Sequence, residues 1–566
     1  MLTPSPNPVT GGTILVEQLL IQGVDTIFGV PGESYLGVLD AMYPVRDRIK
    51  FVITRVENGA ANMAETYGKL TGKPGICLVT RGPGACHAAV GVHTAMQDST
   101  PMILFIGQVA RHQEEREAFQ EIDYRRMFGQ MAKWVAQIED PARVPEYVSH
   151  AFHVAMSGRP GPVVLALPED MLTEEVLGDA VIPGAAHVVQ AHPGPDAMAG
   201  LRAMMETAER PLMILGGGSW TEQAAKDIVA FAEANNIPTG VSFRRQDLIP
   251  NDHPLYAGDV GIGINPKLAE RVKTSDLIIA VGPRLGEMTT GGYSLFDIPV
   301  PKQRLVHVHP GAEELGRVYR PEMAINSGMP GFAAAAKAMQ PVTGRWDNWA
   351  GTAHDEYLAW TEPGSMPGDV QMGEIIRLLR DELPAEAMIC NGAGNYTAWV
   401  HRYYRYRGYA TQLAPTSGSM GYGVPAAVAA KLRHPERDVI AFAGDGCYMM
   451  HGQELATAMQ YGANVILIVV NNGMYGTIRM HQEREYPGRV SGTHLANPDF
   501  VALAKAYGGT GELVTETSQF MDAFARARAA GKPALIEIRI DPEAITPSAT
   551  LSGLRAQAEA RDAEKA

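Results

Sequence analysis

The run Asp438-Val439-Ile440-Ala441-Phe442-Ala443-Gly444-Asp445-Gly446, answered further on by Val465-Ile466-Leu467-Ile468-Val469-Val470-Asn471-Asn472, decides how this chain folds. Each stretch is apolar over the length of a strand and then turns abruptly polar. Between them, 453–461 has helical spacing. A strand–helix–strand unit crosses over right-handedly and brings both strand ends to one edge of a parallel sheet. Ligands of open α/β sheets bind outside those carboxyl ends. Asp445 and Asn472 are therefore expected side by side, with Gly444 and Gly446 letting a phosphate approach the backbone. One carboxylate, one amide oxygen and a main-chain carbonyl suit Mg²⁺, which takes few protein oxygens and completes its shell with phosphate and water. A glycine turn and an unrelated Asn turn would explain either half alone. The two halves on one frame outweigh that plainer reading.

Outward from this unit the same rhythm repeats. Apolar runs at 25–30, 51–56, 76–80, 102–106 and 163–167 form a first block over 9–180. Runs at 212–215, 277–281 and 305–308 form a second over 190–340. Runs at 388–390, 439–443, 465–470 and 534–538 form a third over 360–545. Residues 178–195 read as a linker, and a polar stretch at 341–368, punctuated by Trp346, Trp349 and Trp360, as a weaker boundary. The tail 546–566 is either a terminal helix or a frayed arm. The expected class is α/β, with three doubly wound parallel-sheet domains. At 566 residues the chain is too long for one core.

Composition narrows the function. Apolar residues at 46% and charged residues at 19% are ordinary for a globular protein. A net charge of −14 argues against nucleic acid or an anionic membrane as the main partner. The four cysteines, Cys77, Cys86, Cys390 and Cys447, form no CxxC pair and read as buried thiols in a reducing compartment. No apolar run approaches the roughly 20 residues that span a bilayer, and no secretory signal opens the chain. A cytoplasmic location is expected.

Gly444-Asp445-Gly446 through Asn471-Asn472 resembles the thiamin-diphosphate motif of the acetolactate synthase and pyruvate oxidase family. The resemblance implies that Asp445 and Asn472 ligate Mg²⁺ by side chains and Met474 by its backbone carbonyl. It places Gly444, Gly446, Cys447, Tyr475 and Gly476 around the cofactor. Upstream, Gly392-Ala393-Gly394-Asn395 looks like the diphosphate-binding turn, although Asn395 and Tyr396 stand where the synthases have a Gln-His pair. Gly418-Ser419-Met420-Gly421-Tyr422-Gly423 opens an Ala-rich helix near Val424, and such a helix entry is a ready anion site. By resemblance, Met420 wedges the cofactor into a bent shape and the Gly418 carbonyl meets its aminopyrimidine. The other reading of Met420 is core packing.

Arg55-Val56-Glu57-Asn58-Gly59-Ala60-Ala61, Gly72-Lys73-Pro74-Gly75 and Gly82-Pro83-Gly84 resemble the family's pyrimidine-binding domain. A glutamate that opens a helix is by itself a first-turn charge partner. The resemblance makes Glu57 the carboxyl group that shifts the pyrimidine toward the tautomer able to take the thiazolium proton. The three blocks would then be the pyrimidine-binding, central and diphosphate-binding domains. In the family, the carboxylate and the metal site of one centre come from different subunits, which implies a homodimer or homotetramer.

Three further segments resemble substrate-side segments of the synthases: Pro31-Gly32-Glu33, Ala118-Phe119-Gln120-Glu121, and Lys133 in Met131-Ala132-Lys133-Trp134. They add Gln120 and Lys133 to Glu57 as catalytic residues, and Gly32, Phe119, Gln120 and His481 as substrate contacts. Surface polarity is the competing reading for Gln120 and Lys133. The expected activity is decarboxylating carboligation of 2-oxo acids, two pyruvates giving 2-acetolactate and CO₂. The alternative is another decarboxylase, lyase or acyltransferase of this fold. Residues 473–481 lack the tryptophan that shapes the second-substrate pocket in biosynthetic synthases, and Met288 stands where those enzymes carry arginine. Arg479 and His481 are candidates for a polar acceptor.

Gly216-Gly217-Gly218, with Gly258, Gly261 and Gly263, is a weak dinucleotide signal. Relatives hold FAD, ADP or nothing in this domain. His307-Val308-His309-Pro310 stands where the FAD-binding ones carry an acidic residue, which weighs against FAD. A nicotinamide dehydrogenase would explain only the middle third, and a non-catalytic paralogue conflicts with intact Glu57, Asp445 and Asn472.

Overall fold

The computed structural model describes residues 8–176, 184–342 and 346–565. The chain divides into two compact units, Met1–Gln190 and Ala191–Ala566. The first holds one six-stranded sheet and the second holds two. Within all three sheets every strand pairing is parallel. Parallel sheets need both faces covered, so their central strands are apolar throughout. Leu277–Val281 is buried from end to end, as is Gly75–Val79.

The sheet of the first unit runs Lys50–Ile53, Thr26–Gly29, Gly75–Val79, Met102–Gln108, Pro162–Pro168, Trp134–Gln137. In the second unit one sheet runs Tyr256–Val260, Thr239–Ser242, Pro211–Leu215, Leu277–Val281, Arg304–His309, Met323–Asn326. The other runs Gln412–Leu413, Met388–Asn391, Val439–Gly444, Ile466–Asn471, Ala534–Arg539, Thr510–Val514. The strands expected from apolar runs are all present. Those without such a run are edge strands, save Thr239–Ser242 beside an edge. An edge strand is covered less completely and needs no unbroken apolar stretch.

The structure adds detail to two stretches. The boundary stretch 341–368 holds the helix Asp347–Trp360, and the Trp346 and Trp349 indoles donate to the Ala208 and Pro211 carbonyls at 3.1 and 2.8 Å. Three tryptophans mark a docked helix because their rings seek burial and their N–H groups need acceptors. The tail is a helix, Leu551–Lys565. Of the expected linker 178–195, residues 178–183 lie outside the described residues, and 184–194 carry neither helix nor strand. Among the described residues no helix is long and apolar enough to cross a membrane.

Candidate active site

Val439–Gly444 and Ile466–Asn471 lie side by side, with Gly444 opposite Val470, so Asp445 and Asn472 leave one sheet edge together. Asp445 opens a short helix, Asp445–His451, where its charge faces the positive end of the peptide dipoles. It is 2% exposed, and burial pushes its carboxyl pKa above the ordinary aspartate range. Its oxygens accept only neutral donors: Oδ1 the Gly446 N–H at 3.0 Å, Oδ2 the Gly473 N–H at 3.0 Å and Asn497 Nδ2 at 2.7 Å. Among the described residues no cation pairs with it. A buried carboxylate without a cation is costly. Bound Mg²⁺ would supply the missing charge.

The other expected ligands stand around it. Asn472 accepts the Met474 N–H at 3.2 Å through Oδ1. Residues 493–495 strap across this loop: Tyr475 N–H donates to the Thr493 carbonyl and Leu495 N–H to that of Gly473. Neither bond uses the Met474 carbonyl. The donor set of carboxylate, amide and main-chain oxygen therefore fits a hard divalent ion carrying a diphosphate.

A cavity of about 240 Å³ opens beside this edge. Its walls include Ala393, Gly394, Asn395, Gly418, Met420, Gly444, Asp445, Gly446, Cys447, Asn472, Met474, Tyr475 and Gly476. Met420 is only partly buried and lines the cavity, so core packing does not account for it. Gly418, at φ +68, has open space where a Cβ would stand, leaving its turn unobstructed.

Gly392 departs from expectation. Its N–H donates to the Tyr396 hydroxyl at 3.0 Å, and it is absent from the cavity wall. The Tyr396 ring lies against Gly394 and Gly444, where added Cβ atoms would come within 2.9 and 3.1 Å of it. Its hydroxyl also meets Cys447 Sγ at 3.4 Å, and that sulfur accepts the Gly421 N–H at 3.0 Å. The Tyr396 hydroxyl thus occupies one amide of the turn at 392–395. Asn395 Oδ1 accepts from the Thr477 hydroxyl at 2.9 Å.

The first unit gathers a second group. Glu57 opens the helix Glu57–Thr71, and its Oε2 meets His87 Nδ1 at 3.0 Å. The turn at 80–84 is the hub. A Cβ on Gly84 would lie 3.3 Å from Glu57 Oε1, one on Gly82 2.8 Å from the Gln120 Cβ, and one on Gly32 2.5 Å from the Thr80 Cβ. Gly32, Glu57 and Gln120 are thus brought together. Arg81 fastens the loops, pairing with Glu33 and Glu169 at 3.1 and 3.2 Å and donating to the Phe119 carbonyl at 3.1 Å. The Phe119 ring itself is 72% exposed within the chain.

Lys133 is not part of that group. It precedes Trp134–Gln137 at the amino edge of the sheet, opposite the edge that carries Glu57. Its ammonium caps the helix Val144–Met156 through the Val154 carbonyl and reaches the Ser157 carbonyl at 2.6 Å. A cation at a helix C-terminus is a structural device. His481 is exposed on the helix Gly476–Glu485 and lies off the cavity wall. Arg479 is paired with buried Glu483, which takes it away from any acceptor.

The central glycines have a packing reason. A Cβ on Gly217 would lie 1.9 Å from the Gly282 carbonyl oxygen, and one on Gly216 2.1 Å from Ser242 Oγ. His307 Nε2 and His309 Nδ1 engage the Pro283 and Gly311 carbonyls, each at 3.0 Å. Three cysteines are buried as expected, but Cys86 is exposed.

Sequence reasoning missed Asn497, His87 and Glu537. Asn497 is legible only as an Asn-Pro turn, and His87 only as the continuation of Gly82-Pro83-Gly84. Glu537 accepts from Asn471 Nδ2 at 2.9 Å, and its only mark in the sequence is that it is the one charged residue inside the run 534–538.

Comparison with known proteins agrees with this geometry. Residues 9–127 match the model described as thiamine pyrophosphate enzyme, N-terminal TPP binding domain; 198–335 match the central domain, and 392–538 the C-terminal TPP binding domain. The chain is 32% identical to the acetolactate synthase large subunit of Parasynechococcus marenigrum over 95% of its own length and 88% of that protein. It is 30% identical to the Corynebacterium glutamicum large subunit, over 95% and 88%. Against the isozyme 2 large subunit of Escherichia coli it is 29% identical over 94% and 96%.

Proposed function

The chain belongs to the thiamine pyrophosphate enzyme family, and from that premise we propose that it is a thiamin-diphosphate- and Mg²⁺-dependent carboligase that joins two pyruvates into 2-acetolactate and CO₂. The observation that carries this reading is Asp445, a buried carboxylate without a cation on the wall of a cavity shaped by Gly394, Met420 and Gly444. Asp445, Asn472 and the Met474 carbonyl would hold the metal and, through it, the diphosphate. When bound, thiamin diphosphate supplies a nucleophilic carbon for the 2-carbonyl and a sink for the electrons left as CO₂ departs.

The chain's own residues do the rest. Met420, Ile478 and Ile545 give the cavity apolar wall, beside which charge interactions are stronger than in open water. Glu57 would hold a carboxyl group where the pyrimidine ring binds, able to give or take a proton there. Gly32 and Gln120, beside it at the 80–84 turn, would flank the substrate. The partners proposed are small 2-oxo acids and a second copy of the chain, because Glu57 and Asp445 of one centre would come from two subunits. FAD is left out of this reading, since the central glycines and histidines are accounted for by packing.

A different acceptor is the second reading. The stretch 473–481 carries no tryptophan, which favours it. Incubation with thiamin diphosphate, Mg²⁺ and pyruvate, followed by an acetoin assay after acid decarboxylation, tests the first reading. No acetoin, together with turnover of another 2-oxo acid, would replace it with the second.

A further inference from the structure

We propose that His87 is the positioning residue for Glu57, holding one carboxyl oxygen so that the other is presented to a ligand. The inference rests on the reading of Glu57 as the group that meets the cofactor's pyrimidine.

The pair is built by two helices, Glu57–Thr71 and Pro83–Asp98, that close on one point. At that point a Cβ on Gly91 would lie 2.4 Å from the Ala61 Cβ, so only glycine permits the approach. Four residues earlier on each helix, one turn nearer the amino end, stand Glu57 and His87. Packing along the helices thus sets the separation of 3.0 Å between Nδ1 and Oε2.

The surroundings leave the histidine as the partner. Cys77, in the strand Gly75–Val79, and Tyr35, in the turn Glu33–Tyr35, are the other titratable groups that feel the Glu57 charge. Burial pushes both of their pKa values up, so both stay neutral. Cys86, beside His87, is exposed. Among the described residues no lysine or arginine pairs with Glu57. Within the chain the Glu57 side chain is 12% exposed, so few other groups can reach its carboxyl oxygens.

Of the two carboxyl oxygens, Oε2 is held by His87 Nδ1, and Oε1 lies toward Gly84. The imidazole thus fixes the rotation of the carboxyl group and presents Oε1 as the oxygen that would meet an incoming ring nitrogen.

The test compares His87→Ala and His87→Asn with the wild type in the full-length protein, by steady-state kinetics, calorimetric titration of thiamin diphosphate with Mg²⁺, and circular dichroism. The expected result is that His87→Ala keeps the fold and lowers kcat by about tenfold or more, and that His87→Asn, which keeps an N–H for Oε2, recovers most of that loss. In a Glu57→Gln background the His87→Ala change should add no further loss, because the oxygen it holds is gone. Full turnover in His87→Ala, or an equal loss in His87→Asn, with binding intact, would overturn the role of His87 alone. A wild type that binds no cofactor would overturn the reading of the site as well.

Discussion

Asn497 Nδ2 donates to Asp445 Oδ2 at 2.7 Å and to Asn471 Oδ1 at 3.0 Å, tying together the two loops that would hold the metal. The network continues through Asn471 Nδ2 to Glu537 Oε1 at 2.9 Å, and Arg539 Nε donates to the same oxygen at 2.8 Å. A ligand carboxylate held by such a partner presents its free lone pairs in one direction.

Asn497→Ala should therefore weaken Mg²⁺-dependent cofactor binding by about 10- to 100-fold while the fold persists. Calorimetric titration gives the affinity and circular dichroism the fold. Unchanged affinity would show that Asp445 is oriented without Asn497.

Asp445→Asn tests the uncompensated charge. Burial disfavours the Asp445 carboxylate, but the asparagine NH₂ would face the Gly446 N–H or the Gly473 and Asn497 donors, so the apo variant should lie within about 1–3 kcal/mol of the wild type. Cofactor and Mg²⁺ at 100 times the dissociation constant stabilise the wild type by about 2.7 kcal/mol, and the variant should show no such gain. Thermal scans with and without ligand distinguish the two.

Glu57→Gln should keep the fold and lower kcat by about 10²- to 10⁴-fold, the usual worth of a positioned acid or base. Steady-state kinetics measures this. Full turnover would remove Glu57 from the chemistry.

Lys133→Met separates placement from resemblance. Loss of its bonds to the Val154 and Ser157 carbonyls should cost about 1–3 kcal/mol of stability. KM and kcat should stay within about twofold, because the residue stands at the opposite sheet edge from Glu57. A large kinetic effect without destabilisation would restore the catalytic assignment.

The terminal helix should depend on pH. Glu483 is fully buried and accepts from Arg555 at 2.5 and 2.8 Å, and Arg555, with Gly488 N–H and Arg479, holds its pKa down at about 2. A depressed carboxylate pKa contributes stability above the unfolded value and loses it as pH falls through the folded one. Docking of Leu551–Lys565 should thus hold above pH 4.5 and be lost between 4.5 and about 2. Cleavage of the tail by an acid-active protease reports it, and Arg555→Ala should move release to higher pH.

Much of this was legible in order along the chain. Central strands of a parallel sheet are buried on both faces, so Val439–Gly444, Ile466–Asn471 and Leu277–Val281 announce themselves as apolar runs. Edge strands such as Trp134–Gln137 do not, so nothing in the sequence placed Lys133 at the amino edge of its sheet, and its assignment rested on resemblance alone. The glycines at 216 and 217 were ambiguous for a related reason: a glycine required by a neighbouring backbone and one required by a phosphate are the same letter.

What the sequence determined alone was the α/β frame and the meeting of Asp445 with Asn472, because strand, crossover and chirality are local and fix which loops share an edge. Tertiary structure alone decided the partners of those residues. Asn497 beneath Asp445, Tyr396 across Gly392, His87 against Glu57 and Arg555 on Glu483 are contacts between segments remote or unmarked in the chain. Side-chain hydrogen bonds of that kind follow from how helices and loops pack, and packing leaves no periodic signature in a single sequence.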